Sequence, residues 1–238
     1  MKIIADYHTH TIYSHGKGTI EENVKVAISK GIKTLGISDH GYKNIAYGVK
    51  LDDFKKMREE VDILNEKYKN QIKILLGVEC NILDNEGNID LHEKINDYLD
   101  YVMAGYHFGS IPTSFKGMVN ICQNYILKSE KAREYNTEAI VNTMKKNDIF
   151  AITHPGDKGK VYIEEIAKVS KETNTLLEIN SSHSFLNEEQ LKKIKKYIPK
   201  LIIGSDAHIP QNVGDFDLAL DAVNKSGIDI SLIENILV

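Results

Sequence analysis

Short runs of Ile, Val and Leu recur along the chain, separated by longer stretches with apolar residues at three- and four-residue spacing. The runs cover residues 2–5, 34–37, 73–78, 101–104, 149–152, 176–179 and 201–203. Continuous rather than alternating apolar character predicts strands covered on both faces, as in a parallel sheet. Between them, Thr19-Ile20-Glu21-Glu22 reads as a capped helix start, and Gly31 reads as its stop. Residues 51–68 place Phe54, Met57, Val61 and Leu64 on one stripe of a second helix. Residues 120–146 predict one long helix or two. Further helices are expected over 163–173, 187–197 and 216–225, and a short, weakly marked segment over 91–98. Strand–helix units in this number predict a closed α/β barrel or a large open sheet.

The polar residues that break the pattern lie in one kind of place. Asp6 and His8 follow the first run, and Asp39 and His40 the second. Glu79 ends the third. His107, His154 and Asn180 follow the fourth, fifth and sixth, and Asp206 and His208 follow the seventh. In a parallel barrel the carboxyl ends of the strands share one face, where active sites are built. A structural histidine has no reason to avoid the opposite end. The placement therefore favours a distorted, TIM-like (β/α)7 barrel with its site at the C-terminal ends of the strands.

Residues i and i+2 of a strand point to one side, so His8 and His10 can grip one ion, and Asp206 and His208 repeat that spacing. If the barrel closes, the two pairs meet. The candidate ligands are His8, His10, His15, His40, His107, His154 and His208, with Glu79 and Asp206. Imidazole and carboxylate are standard ligands of zinc, manganese and iron. Nine ligands suit two or three ions, especially if Glu79 bridges two. Taken alone, His8-Thr9-His10 fits a solvated loop as well as a metal site, and a lone His40 or His107 fits a hydrogen-bonded core or surface histidine. The joint placement carries the metal reading. His92 lies at a helix start and is expected to be exposed. His183 lies at the rim beyond the sixth strand, as a substrate contact or a plain rim residue.

Composition narrows the class. The 238 residues, 42% hydrophobic and 27% charged, suffice for a sizeable core, and no linker divides them, so one domain over 1–238 is expected. The net charge of −4 and the lack of a basic run argue against binding long nucleic acid. The apolar runs are too short to span a membrane. Cys80 and Cys122 form no CxxC pair, and no signal-peptide pattern precedes the first run, so two reduced thiols in a cytoplasmic protein are expected. Oligomeric state leaves no readable trace.

His8-Thr9-His10, His15, Ser38-Asp39-His40, Gly77-Val78-Glu79, Gly105-Tyr106-His107, Thr153-His154-Pro155 and Gly204-Ser205-Asp206-Ala207-His208 resemble, in order, the motifs of the PHP (polymerase and histidinol phosphatase) family. The spacing most resembles its stand-alone, YcdX-like phosphatases. The resemblance implies a seven-stranded barrel holding three divalent ions. It implies His8, His10, Glu79 and Asp206 around the first, a bridging Glu79 with His107 and His154 around the second, and His15, His40 and His208 around the third.

Such a site makes hydroxide available at neutral pH and clamps phosphoryl oxygens. The ions outweigh Glu79 and Asp206 in charge, which suits a small phosphorylated substrate better than a neutral ester or amide. The expected function is a metal-dependent phosphoesterase acting on a small phosphomonoester, with Glu79 and Asp206 at the reacting centre. Asp39 or Asp6 would orient a ligand histidine or move a proton, the alternative being a strand-end cap. Lys43, Lys158 and Lys160 could meet a phosphate or lie on the surface. The family's histidinol-phosphate phosphatases are expected to place an arginine near the phosphate. Here Arg58 and Arg133 both lie in helix-like stretches. Two other readings are an amidohydrolase, against which the lack of a lysine after a middle strand counts, and a non-catalytic, metal-stabilised regulatory module. A phosphodiester-cleaving exonuclease belongs to the first class. The stretch 109–117 is either a cover over the site or a plain connection.

Overall fold

The computed structural model describes residues 2–107 and 109–237. Seven parallel strands run in chain order around one sheet: β2 (Ala5–Asp6), β3 (Thr34–Ile37), β4 (Lys73–Asn81), β5 (Tyr101–Gly105), β6 (Ala151–Ile152), β7 (Leu176–Asn180) and β8 (Leu201–Gly204). The first apolar run is split. Its leading half, β1 (Lys2–Ile3), leaves the barrel and pairs antiparallel with β9 (Ile236–Leu237), a C-terminal strand that the pattern of runs did not predict.

Closure is made by backbone and by buried side chains, Asn235 and Asp6 among them. Thr9 bridges Ala207 in parallel, with His10 N donating to Ala207 O at 2.8 Å and Ala207 N to His8 O at 3.3 Å. Lower on the seam, the buried Asn235 stands in for missing backbone. Its Nδ2 donates to Ala5 O and Ile203 O, both at 2.7 Å, and its Oδ1 accepts from Ile203 N at 3.0 Å. The pair that closes the seam is thus the pair that flanks His8, His10 and Asp206.

Helices α1 (Ile20–Ser29), α2 (Asp53–Tyr68), α3 (Phe115–Ile121), α4 (Glu130–Lys146), α5 (Ile163–Thr173), α6 (Glu188–Ile194) and α7 (Asp217–Ser226) complete the molecule. The Thr19–Glu22 capping box starts α1, with reciprocal bonds of 3.2 and 2.8 Å. The long stretch 120–146 is neither one helix nor two simple ones. Its first part continues α3 into a π-helical turn, Cys122–Leu127, before Lys128 turns left-handed and α4 begins. Residues 93–98 form only a 3₁₀ turn, capped by His92, whose ring accepts from Lys94 N at 3.2 Å and is half-buried rather than exposed.

The main core lies between strands and helices, with Phe54, Met57, Val61 and Leu64 buried as their spacing predicts. A second cluster, Met103, Ala151, Leu176 and Ile202 with Tyr7, Tyr101 and Phe150, plugs the interior of the ring below the site. Met103 is the register partner of both Glu79 and Ala151, so it shares the inward face with Glu79. Gly36 and Gly77 make room for the Tyr101 ring, which a Cβ at either position would strike.

Candidate metal centre

Glu79, buried near the end of β4, is the hub. Its Oε1 lies 3.0 Å from His107 Nε2, 3.0 Å from His154 Nε2 and 3.4 Å from His8 Nε2. Its Oε2 lies 3.0 Å from His40 Nδ1 and 3.7 Å from His10 Nε2. Asp206 Oδ1 lies 3.2 Å from His10 Nε2 and 3.5 Å from both His8 Nε2 and His208 Nδ1. His15 stacks on His40 with ring centres 4.8 Å apart, and His208 approaches it at 4.1 Å. All nine candidate ligands therefore converge.

Four groups of donor atoms lie close enough to share an ion: His8, His10 and Glu79; His8, His154 and Asp206; His40, Glu79 and His107; and His10, His15, His40 and His208. These groups overlap more than the division implied by the family resemblance. His40 faces Glu79 as well as His15, and His154 faces Asp206 as well as Glu79.

The donors fit metal ions. Both Glu79 oxygens, His40 Nδ1 and His107 Nε2 are buried without a hydrogen bond, although they lie 3.0 Å apart in pairs. Lone pairs that crowd together without meeting hydrogen-bond geometry aim at common points between them. Buried polar atoms are otherwise paired in folded proteins.

The electrostatics agree. Burial opposes charge on both carboxylates, yet His107 and His8 hold Glu79, and His8 and His10 hold Asp206, well below the usual carboxylate range. Burial, with His40 and His8 nearby, keeps the His10 ring well below the usual imidazole value. Burial with His208 and His40 brings His15 down to about 3, and burial brings His107 down to about 4. A neutral imidazole is the form a metal needs. His8 behaves oppositely. Burial would lower it, but Glu178, Asp206 and Glu79 together raise it well above its usual value.

Residues behind the ligands fix their rings. Glu178 Oε1 accepts from His8 Nδ1 at 2.7 Å, and its Oε2 accepts from His154 N at 2.8 Å and Asn180 Nδ2 at 3.0 Å. Gly204 makes room for it, since a Cβ there would strike Glu178 Oε1. Asn81 Oδ1 lies 3.0 Å from His107 Nδ1, and Asp90 holds Asn81 through its amide and backbone N–H, both at 2.6 Å. The strand-end rule did not reach Glu178, Asn81 or Asp90. Glu178 did leave a signal: one carboxylate inside the apolar run Leu176-Leu177-Glu178-Ile179, where a buried charge needs a partner. His154 and Asp206 also take positive φ values, 26° and 52°, which non-glycine residues rarely adopt.

The remaining predicted residues are scattered. Asp39 gives its oxygens to Thr11 N at 2.8 Å, Thr11 Oγ1 at 2.6 Å and Ser14 Oγ, tying down the loop that carries His15. Burial raises its carboxyl above the usual value. Asp6 accepts from Gly214 N at 2.9 Å and Ser205 N at 3.2 Å, stitching β2 to the last loops. His183 reaches the site, with Nε2 3.5 Å from Asp206 Oδ2 and Nδ1 3.3 Å from Asp157 Oδ2. Lys158 pairs with that same Asp157 oxygen at 2.7 Å. Lys43 lies over the Tyr42 ring, and Lys160 is exposed. Arg58 is engaged by Asp62 and Asp100, and Arg133 lies over Tyr162, so neither serves the centre. The stretch 109–117 pairs by backbone with the loop after His40. Ile45 N donates to Gly109 O and Ile111 N to Lys43 O, which zips the loop after His107 to the loop after His40.

The model of the PHP domain family matches residues 6–182. Among curated proteins, a "probable phosphatase" of Thermoanaerobacter sp. (strain X514) is 35% identical over 99% of this chain and 91% of its own length. A "probable phosphatase" of Acetivibrio thermocellus is 33% identical over 99% and 92%. Among solved structures, the histidinol phosphate phosphatase of Lactococcus lactis, complexed with zinc, L-histidinol and phosphate, superposes with a TM-score of 0.67. It is 19% identical, over 94% of each chain, a likeness of fold. With the family model covering most of its length and curated relatives at this identity along nearly all of it, the chain belongs to the PHP domain family.

Proposed function

We propose that this protein is a metal-dependent phosphatase that hydrolyses a small phosphomonoester at a three-ion centre, with residues 1–238 acting as one PHP domain. The observation that carries the reading is the convergence of His8, His10, His40, His107 and His154 on the buried, unbonded carboxylate of Glu79, with Asp206, His15 and His208 in overlapping donor groups beside it. The curated relatives' name, phosphatase, supports the reaction class. The zinc in the Lactococcus lactis relative supports a divalent metal, here zinc, manganese or iron.

His8, His10, Glu79 and Asp206 would hold one ion, Glu79, His107 and His154 a second, and His15, His40 and His208 a third. Bound divalent ions supply an activated water at neutral pH and offset the charge of the transferring phosphoryl group. Glu178 and Asn81 keep the His8 and His107 rings turned toward the centre. Asp39 holds the 11–15 loop so that His15 reaches it. His183, steered by Asp157 and bordered by Lys158, stands where it can bind a phosphate oxygen at the rim. Lys43 stands apart, over Tyr42.

The test is a panel of phosphomonoesters, phosphodiesters, amides and lactones, offered to protein reconstituted with zinc, manganese or iron. Release of inorganic phosphate from monoesters is expected. Turnover confined to amides or lactones would establish the amidohydrolase reading instead. Tight metal binding with no turnover of any class would leave a regulatory module.

A further inference from the structure

Beside the metal centre lies a cavity of about 250 Å³. His107 belongs to both, forming one cavity wall while its Nε2 faces Glu79. The zipped loops form its roof through Ile45, Gly109, Ser110 and Ile111. Leu83, Tyr106, Pro112, Ile121 and Tyr135 supply much of the rest. Among the described residues that line it there is no Asp, Glu, Lys or Arg. Asp84, next to Leu83, turns its carboxylate away to Thr113, Asn88 and the backbone of Glu86.

We infer that this cavity receives the body of the substrate, and that this body is neutral and apolar, a single aromatic ring or a short branched chain. The inference rests on the phosphatase reading above. A phosphoryl group at the centre would have its ester oxygen beside His107, with the alcohol portion directed into the cavity. An apolar cavity of about 150 Å³ already takes up benzene, so this volume has room for one ring with its linking carbons. A cationic amino alcohol would find no carboxylate there. Ile45 and Ile111 stand exposed at the mouth, 77% and 51%, where a bound apolar body would cover them.

The test uses phosphonates, whose C–P bond the enzyme cannot hydrolyse, titrated calorimetrically into metal-loaded protein. Compared with methylphosphonate, 2-phenylethylphosphonate should bind at least ten-fold more tightly, and 2-aminoethylphosphonate should gain nothing. Ile45→Asp and Ile111→Asp, both at exposed positions that tolerate change, should each erase most of the aromatic preference. Ile63→Asp, exposed on α2 outside the cavity, should leave it intact. Equal affinity for the methyl and phenylethyl compounds would overturn the inference and leave the phosphatase reading standing. Preference for the amino compound would also overturn it. If no phosphonate binds and no phosphoester is cleaved, both readings fall together. A dimer in sedimentation velocity that the two Asp substitutions split into monomers would assign the apolar mouth to a second copy of the chain and overturn the inference too.

Discussion

Glu178 and His8 meet across the barrel interior, Oε1 to Nδ1 at 2.7 Å, with both side chains fully buried. A carboxylate that accepts at Nδ1 fixes a proton there and turns Nε2 toward Glu79, His10 and Asp206. The same carboxylate holds His154 N, so one residue orients two candidate ligands.

Glu178→Gln keeps the size of the side chain but weakens that hold. Metal affinity, measured by competition with a chromophoric chelator, should fall about 10–100-fold. An unchanged affinity would show that the His8 ring is fixed by packing alone.

Glu79→Ala removes the hub. Elemental analysis should find fewer ions per chain than in the parent, and release of phosphate should fall by roughly two orders of magnitude or more. Full turnover with full metal content would exclude the bridging role.

The His15–His40–His208 corner is the exposed side of the centre, with the His208 side chain 33% accessible. Chelator should therefore strip the ions in stages, this one first. His208→Ala should contain about one ion fewer while keeping the slowly released ions. Release in a single phase would refute the staging.

In metal-free protein, His15 titrates at about 3 instead of the usual 6.5 because burial, His208 and His40 oppose its charge. A lowered histidine adds stability that is present above pH 6.5 and lost as pH falls toward 3, since only the unfolded chain takes up the proton. His15→Asn lacks this loss. Stripped of metal, the variant should gain stability relative to the parent between pH 6.5 and 4, read by urea unfolding. A difference independent of pH would contradict the assignment.

Asn235→Ala strands the Ala5 and Ile203 carbonyls and the Ile203 N–H at the barrel seam. The cost should be about 3 kcal/mol in urea unfolding. Metal content should persist below the transition, because the Thr9–Ala207 bridge closes the upper seam independently. A loss under 1 kcal/mol, on the order of one ordinary hydrogen bond, would mean that water replaces the amide.

Much of this was legible in one dimension. The apolar runs marked the barrel strands because parallel strands are buried on both faces, where a polar residue such as Glu178 stands only with partners. Residues that broke the runs at their carboxyl ends stood out for the same reason, and the histidines among them meet Glu79 and Asp206 in the overlapping donor groups. The capping box of α1 and the core stripe of α2 were readable because both are local, set by a helix's own geometry.

What the chain could not declare was every relationship formed by distant segments. Asn235 replaces backbone 230 residues away, and Glu178 supports a histidine 170 residues away. Neither follows a spacing rule, because through-space distance inside a closed barrel is unrelated to separation along the chain. The split of the first strand depended on a C-terminal partner at Ile236 and Leu237, in an apolar run too short to read as a strand by itself. The cavity beside His107 arose only when the 43–45 and 109–111 segments zipped together. The sequence by itself determined which residues could bind metal and at which end of the barrel they would lie. Tertiary structure decided which donors face one another, because closure of the barrel sets those distances.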